Sequence, residues 1–267
     1  MSERVDTLEQ LAEVKRIPIE VARDTAVLNA DDEHCLRMAD YTQAEHVCYV
    51  TMNPSHALVK QHIRACGQAF VLEQGMNGHM IAMYENETYT PLLWTHLIPA
   101  TVEGRAMHNV QNAMFATALA YNLGVTLEDI RHGLRTFDSS FFQAPGRMNI
   151  YNEHPFKVIL DYAHNPAAVK AMCGLVDRFG VEGRRIVVLA APGDRRDEDI
   201  REIAAIMRLR SIDHLRNDLE SALAGADDRA FAELAVLPGV RIQGRHADTR
   251  VLQREVLPQR CMDEIDR

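Results

Sequence analysis

The stretch Phe156-Lys-Val-Ile-Leu-Asp161, followed by Tyr162-Ala-His-Asn-Pro166, decides the fold of the second half of this sequence. Residues 156–161 are β-prone, and residues 167–179 have the apolar spacing of a helix. The same order returns in a predicted strand at 185–190 and a predicted helix at 198–207. Strands that alternate with helices predict a parallel sheet covered by helices, which places the chain in the α/β class.

Upstream of this stretch, hydrophobic spacing and turn residues predict a mixture of helices and short strands. Helices are predicted at 5–16, ending before Pro18, at 107–123, ending at Gly124, and from a capping-box-like start at Thr126 through residue 134. Strands are predicted at 25–28, 47–51, 69–72 and 79–84. The segment Gln74-Gly-Met-Asn-Gly78 predicts a hairpin turn with antiparallel strands, and residues 138–146 predict a loop.

The change of pattern predicts two domains, residues 1–149 and 150–267, with a boundary near Asn149. The chain's 267 residues suit this division, because domains usually contain roughly 100 to 200 residues. Beyond about residue 208 the periodicity weakens, and only residues 240–242 form a β-branched run.

Composition excludes several classes of protein. With 47% hydrophobic and 25% charged residues, the chain has the composition of a soluble globular protein. Its net charge of -9 argues against nucleic-acid binding, which needs clustered Lys and Arg. The five cysteines are scattered, so they predict a reducing cytoplasm rather than a disulfide framework or zinc site. The N-terminus lacks the apolar core of a signal peptide, and no segment approaches the run of about 20 apolar residues that a membrane helix requires. The sequence therefore predicts no membrane segment.

Two polar segments follow predicted strands, where ligands gather in α/β sheets. They are Asp161-Tyr-Ala-His164-Asn-Pro166 and Pro192-Gly-Asp194-Arg195-Arg196. A carboxylate can accept hydrogen bonds from ribose hydroxyls, and cationic donors suit phosphates, so the segments favour a nucleotide. The alternative is that Asp161 and Asp194 cap the helices after them.

Two further segments leave their role open on spacing alone. Pro145-Gly-Arg147 predicts either an interdomain loop that directs a guanidinium at phosphates or an ordinary surface turn. His108-Asn-Val-Gln-Asn112 opens a predicted helix, so its Asn side chains are either caps or nucleotide contacts.

Taken in order, six motifs resemble those of the Mur ligase superfamily, over about residues 5 to 207. They are Val27-Leu-Asn-Ala-Asp-Asp32, His108-Asn-Val-Gln-Asn112, Leu134-Arg-Thr-Phe137, Pro145-Gly-Arg-Met-Asn149, Asp161-Tyr-Ala-His-Asn-Pro166 and Pro192-Gly-Asp-Arg-Arg-Asp-Glu-Asp199. The last two, together with Asp6-Thr-Leu-Glu-Gln-Leu-Ala-Glu-Val-Lys15, most resemble the cyanophycin synthetases within that superfamily.

The resemblance implies a central ATPase domain followed by a Rossmann-like C-terminal domain, with ATP and Mg²⁺ as cofactors. It implies that ATP phosphorylates a carboxylate and that an amine attacks the acyl phosphate to form an amide. In cyanophycin synthetases the corresponding module attaches arginine to the aspartate side chain of an Asp-Arg polymer. Amino acid and polymer are therefore the implied substrates.

The resemblance also implies roles for individual residues. Asn109 and Asn112 are expected near adenine and Arg147 near the phosphates. Asp161, His164 and Asp194, with its neighbour Arg195, are expected near the ribose, the adenine or the closing domain. Lys15 aligns with a lysine that is carbamoylated in several Mur ligases and helps hold magnesium, although a solvated helix charge is the alternative. Lys15, Arg147 and His164 are the residues to which catalytic roles are assigned.

One departure from the family changes the expected activity. The sequence contains no Gly-x-x-x-x-Gly-Lys-Ser/Thr loop and no Gly-Lys pair at all. We therefore expect that the module is truncated before residue 1 and that the isolated chain is inactive unless another chain supplies that half. The alternatives are a non-catalytic nucleotide- or partner-binding remnant and a different Mur-type ligase. An exposed sheet edge also favours a homo-oligomer.

Overall fold

The computed structural model describes residues 7–153, 155–180, 185, 187 and 197–209. Contacts divide the chain into two units, Met1–Tyr162 and Ala163–Arg267, so the predicted boundary near Asn149 stays a prediction. The first unit contains helices α1 (Leu8–Glu20), α2 (Glu33–Arg37), α3 (Ala57–Arg64), α4 (Met107–Asn122) and α5 (Leu127–Thr136). Its strands are β1 (Thr25–Asn29), β2 (His46–Thr51), β3 (Gln68–Gly75), β4 (Gly78–Glu85), β5 (Thr88–Trp94), β6 (Asn149–Tyr151) and β7 (Val158–Leu160).

The first five strands form one mixed sheet in the order β1-β2-β3-β4-β5. β1, β2 and β3 run parallel to one another, and β4 and β5 continue the sheet in antiparallel pairing. Gly75 pairs with Gly78, so the predicted hairpin turn at residues 74–78 is confirmed. Gly78 has φ +108°, a conformation that costs a glycine little and other residues much.

Alternating side chains give the sheet a hydrophobic core on each face. One core joins Cys48, Phe70 and Ile81 to Val110 and Met114 of α4. The other core contains Leu28, Tyr49, Val59 and Val71, and Ala12 and Ile19 of α1 pack against it. Each large apolar side chain buried in this way contributes about 1.5–3 kcal/mol relative to its exposed state. The two cores place α4 and α1 on opposite faces of the sheet.

The predicted end of the first helix before Pro18 is wrong, because α1 continues to Glu20 with Pro18 inside it. A proline removes the hydrogen bond to the carbonyl four residues earlier, which here belongs to Val14. None of the described α1 residues is buried, so water can solvate that carbonyl. A capping box between Thr7 and Gln10 stabilises the other end of the helix.

The remaining strands of the first unit are short. β6 and β7 pair antiparallel, from Asn149 opposite Leu160 to Tyr151 opposite Val158. The predicted strand at 156–161 is therefore present as β7, with a shorter span. Of its predicted parallel neighbour at 185–190, the structure describes only residues 185 and 187. The β-branched run at residues 240–242 lies outside the described residues.

The second unit contains helices α6 (Pro166–Arg178) and α7 (Asp197–Leu209), close to their predicted spans. Asn165 caps α6, since its side chain accepts a hydrogen bond from the Ala168 N–H, and Pro166 occupies the first turn. Val169 and Cys173 of α6 pack against Ile206 and Met207 of α7. The predicted α/β class is confirmed by these helices, by the mixed sheet and by the α/β domain family that the second half matches.

No helix in the described part of the chain combines the length and apolar character needed to cross a membrane.

Candidate functional site

The Pro145-Gly-Arg147 segment belongs to a loop that the side chain of Asn149 holds together. Asn149 is 1% exposed, and its Oδ1 accepts a hydrogen bond of 2.7 Å from the Gly146 N–H. Its Nδ2 donates to the carbonyls of Ser139 at 2.8 Å and Ala144 at 2.9 Å. A buried amide with both ends satisfied fixes the backbone around it. The segment is therefore an anchored loop rather than a free surface turn.

Asp161 connects this loop to the end of β7. Its Oδ2 accepts a hydrogen bond of 2.9 Å from the backbone N–H of Met148, and the Tyr162 N–H donates to the Gly146 carbonyl at 2.8 Å. Met148 is 2% exposed and has φ +52°, a conformation that a non-glycine residue adopts at a cost of order 1–3 kcal/mol. The surrounding contacts hold it there.

The capping interpretation of Asp161 is wrong, because the cap of the following helix is Asn165. In the described residues, the Met148 N–H is the donor to its carboxylate. Asp161 is partly exposed, and its other oxygen has no donor among the described residues, so that oxygen can accept from a ligand hydroxyl.

The beginning of α4 lies beside the same loop. Asn109 donates from Nδ2 to the Ala100 carbonyl at 2.7 Å and to the sulfur of Met148 at 3.7 Å, and its Oδ1 accepts from Asn112 at 3.1 Å. The N-cap of α4 is Ala106, so neither Asn is its capping residue. Asn109 therefore acts mainly in anchoring α4 to Met148, while Asn112 is exposed and can still contact a ligand.

His108 brings a titratable group to the same place. Burial lowers the pKa of His108 from its ordinary 6.5, and the negative charge of Asp161 opposes that shift to a smaller extent. The imidazole is therefore mainly neutral at pH 7, and it is near enough to Asp161 to sense its charge. The sequence motif contained this histidine, but its role was not predicted.

Arg147 supplies the positive charge of the site. Its guanidinium carbon lies 5.4 Å from the ring centre of Tyr162, whose side chain is exposed. Such a contact orients a guanidinium while leaving its donors open. No acidic side chain in the described part of the chain forms an ion pair with Arg147, so it can bind an external anion.

The other predicted residues have different outcomes. Lys15 is exposed on α1, on the face of the sheet opposite α4. His164 is half-buried in the second unit, just before the cap of α6. Asp194 and Arg195 lie outside the described residues. The structure thus brings together Asn109, Asn112, Arg147 and Asp161.

A second polar network, at the carboxyl ends of β1 and β2, was not predicted as a site. Both oxygens of Asp31 accept hydrogen bonds, from Thr51 Oγ1 at 2.5 Å and from the Met52 N–H at 2.6 Å. Thr51 is 1% exposed. Because both carboxylate oxygens are used, the network ties two strand ends together. The aspartate motif in the sequence marked its position but not this partner.

The donors and acceptors of the site fit a nucleotide. Asp161 offers a carboxylate oxygen to a hydroxyl, Arg147 an exposed guanidinium to a phosphate, and Asn112 an exposed amide to a base. Among the described residues, no group of three His, Cys, Asp or Glu side chains is placed to hold a metal ion.

Comparison with known proteins places these residues in a family context. Residues 146–241 match the family described as Mur ligase, glutamate ligase domain. Cyanophycin synthetase of Trichormus variabilis is 41% identical over 203 residues, which are 73% of this chain and 21% of that protein. Cyanophycin synthetase of Synechocystis sp. is 40% identical over 204 residues, 76% of this chain and 23% of that protein.

A more distant relative is a ligase with different substrates in its name. The UDP-N-acetylmuramoyl-L-alanyl-D-glutamate–2,6-diaminopimelate ligase of Corynebacterium efficiens is 28% identical over 262 residues, which are 94% of this chain and 44% of that protein. The chain spans 21% to 23% of the length of the two cyanophycin synthetases. The activity of those two synthetases therefore belongs to proteins more than four times as long as the segment matched here.

Proposed function

This chain is a cyanophycin synthetase-like Mur ligase module, and on that premise we propose that it is the nucleotide-closing part of an ATP-dependent amide ligase. The proposed reaction attaches arginine to the aspartate side chain of an Asp-Arg polymer through an acyl phosphate. We also propose that the protein is located in the cytosol, where ATP and amino acids are present.

The observation that carries the proposal is the joining of three segments around Asp161. The loop of Arg147 and the beginning of α4 are both linked to Met148, whose N–H donates to the Asp161 carboxylate. The group therefore combines a hydroxyl acceptor, an exposed cation and an imidazole whose pKa is lowered by burial. A fixed cation stabilises the dense negative charge of an acyl phosphate, and exclusion of water protects that intermediate until an amine attacks.

The same sequence limits what the isolated chain can do. Without a Gly-Lys pair, it has no loop of the kind that cradles the β- and γ-phosphates and supplies a lysine to them. We expect the chain to bind nucleotide without turning it over. Turnover requires a phosphate-gripping segment from another source.

Isothermal titration calorimetry of the full chain with ATP tests this function. We expect saturable binding that Arg147→Ala weakens about tenfold or more, because an arginine–phosphate contact is worth roughly 1.5–3 kcal/mol. Asp161→Asn keeps the size of the side chain and removes its charge, and we expect a smaller loss. Arg135→Ala, which removes an exposed arginine on α5, is the matched control. Equal affinity of Arg147→Ala and the control would contradict the proposed site.

A non-catalytic nucleotide- or partner-binding module is the second candidate, and the absent Gly-Lys pair favours it. The two are separated by incubating the chain with ATP, an Asp-Arg primer and arginine, with and without the P-loop region of a cyanophycin synthetase supplied as a separate chain. Amide formation only in the mixture supports a ligase part. Nucleotide binding without product in both reactions supports the binding module.

A further inference from the structure

A separate pocket of about 250 Å³ lies between α3 and the neighbouring strands β3 and β4. Its apolar lining includes Val59 and Ile63 of α3 and Val71 of β3, and all three belong to the core on the α1 face of the sheet. The residues around Asp161 adjoin α4, which covers the other face. The pocket is therefore distinct from the candidate nucleotide site.

One wall of the pocket is positively charged. His56, Lys60 and Arg64 occur at every fourth position, which places them along one side of α3. Lys60 and Arg64 are exposed, and within the described residues neither has an acidic partner. The chain has 38 acidic and 29 basic residues, so two basic side chains beside one pocket depart from its general charge balance. This wall suits a carboxylate.

The wall of the pocket that the strands form carries a carboxylate and therefore suits a cation. Glu73 is half-buried, and its Oε1 accepts a hydrogen bond of 2.8 Å from the hydroxyl of Tyr84. No other hydrogen bond to this carboxylate occurs in the described residues, and Glu73 forms no ion pair with either cation across the pocket. A carboxylate beside a tyrosine ring is a favourable setting for a guanidinium, which binds carboxylates with two donors and stacks on aromatic rings.

We propose that this pocket binds an arginyl group that has a free carboxylate, either as free arginine or as an arginyl residue of an Asp-Arg chain. The carboxylate binds Lys60 and Arg64, the guanidinium binds Glu73 beside Tyr84, and the methylene groups contact Val59 and its apolar neighbours. The volume is below the range of roughly 300–1,000 Å³ for drug-sized ligands, which suits one amino-acid residue better than a nucleotide. The inference rests on the proposed function, because that function supplies a ligand with both charges.

Titrations of the full chain, monitored by NMR or calorimetry, test the site. The probes are arginine, β-aspartyl-arginine, agmatine, which lacks the carboxylate, and citrulline, which has a neutral ureido group in place of the guanidinium. We expect weak affinity for the first two, with Kd of about 1 mM, since few contacts offset the cost of binding. Agmatine and citrulline should each bind about tenfold or more weakly. Tighter binding of the dipeptide points to the polymer, and equal or tighter binding of arginine points to the free amino acid.

Variants locate the binding. Arg64→Ala and Glu73→Gln should each weaken arginine binding about tenfold, the effect of one lost charged hydrogen bond. Arg135→Ala should leave it unchanged, and a circular dichroism spectrum identical to that of the parent excludes misfolding. Agmatine or citrulline binding as tightly as arginine, or variants that bind like the parent, would overturn the proposal. Arg147→Ala should weaken ATP binding about tenfold or more without affecting arginine binding, so failure here is distinguishable from failure of the proposed function.

Discussion

Replacement of Asn149 by alanine should destabilise the first unit more than any other single change in the candidate site. The substitution removes three hydrogen bonds of 2.7 to 2.9 Å. The Gly146 N–H and the Ser139 carbonyl lose their partner, whereas the Ala144 carbonyl still accepts from the Arg147 N–H at 3.1 Å. Each such bond contributes about 0.5–1.5 kcal/mol net, and a buried group left unsatisfied costs more. We expect a loss of about 2–4 kcal/mol in the free energy of unfolding.

Urea unfolding of the full chain measures this loss. Trp94 is the single tryptophan and lies in the first unit, so its fluorescence reports that unit. Asn152→Ala is the matched control, because Asn152 is exposed and its side chain accepts one hydrogen bond, from Lys157 at 2.6 Å. The control should cost less than about 1 kcal/mol.

The isosteric variant Asn149→Asp sharpens the test. It keeps an acceptor for Gly146 but places a carboxylate against two carbonyls, so we expect a loss at least as large as with alanine. A change below about 0.5 kcal/mol in both variants would refute the argument that this amide holds the loop. ATP affinity should fall in parallel, because the loop positions Arg147.

Three further predictions concern other contacts. Asp31→Ala removes both bonds that tie the ends of β1 and β2, and we expect a loss of about 2–3 kcal/mol in urea unfolding; a loss equal to that of the exposed control Asp40→Ala would contradict this. Thr7→Ala removes the cap of α1 and should increase hydrogen exchange of its first turn, by a factor that corresponds to about 1 kcal/mol; unchanged exchange would show that the box is not formed. His108 has a lowered folded pKa, so its contribution to stability is present above the unfolded pKa of about 6.5 and is lost as pH falls through the folded value. His108→Gln should therefore lose less stability than the parent between pH 7.5 and pH 5.5, and equal losses would contradict this.

Local sequence signals predicted many elements because their causes are local. Thr126 caps α5 by accepting from the Asp129 N–H, and the two-residue turn between Gly75 and Gly78 joins β3 to β4. β5 was not predicted, and Pro91 within it argues against a central strand. β5 is an edge strand, and the sheet shifts register beside Pro91, so the missing N–H is tolerated there. That tolerance depends on the tertiary position of the strand.

The candidate site shows the same limit. The motifs around Arg147 and Asp161 predicted the correct segments, but not the hydrogen bond between Asp161 and the Met148 backbone. Residues 146–149 form a bend in which Gly146 and Met148 both have positive φ, and no spacing rule predicts that for methionine. The buried role of Asn149 also follows only from the folded loop.

Hydrogen exchange of the full chain with and without saturating ATP shows whether the segments around Arg147 and Asp161 bind a nucleotide. We expect slower exchange of the backbone at residues 145–149 and 161–162 and at the first turn of α4, and no change at α3. In the Arg147→Ala variant the same protection should require an ATP concentration about tenfold or more higher. Protection confined to other segments, or none at ATP concentrations that saturate binding, would contradict the claim that these residues form a nucleotide site.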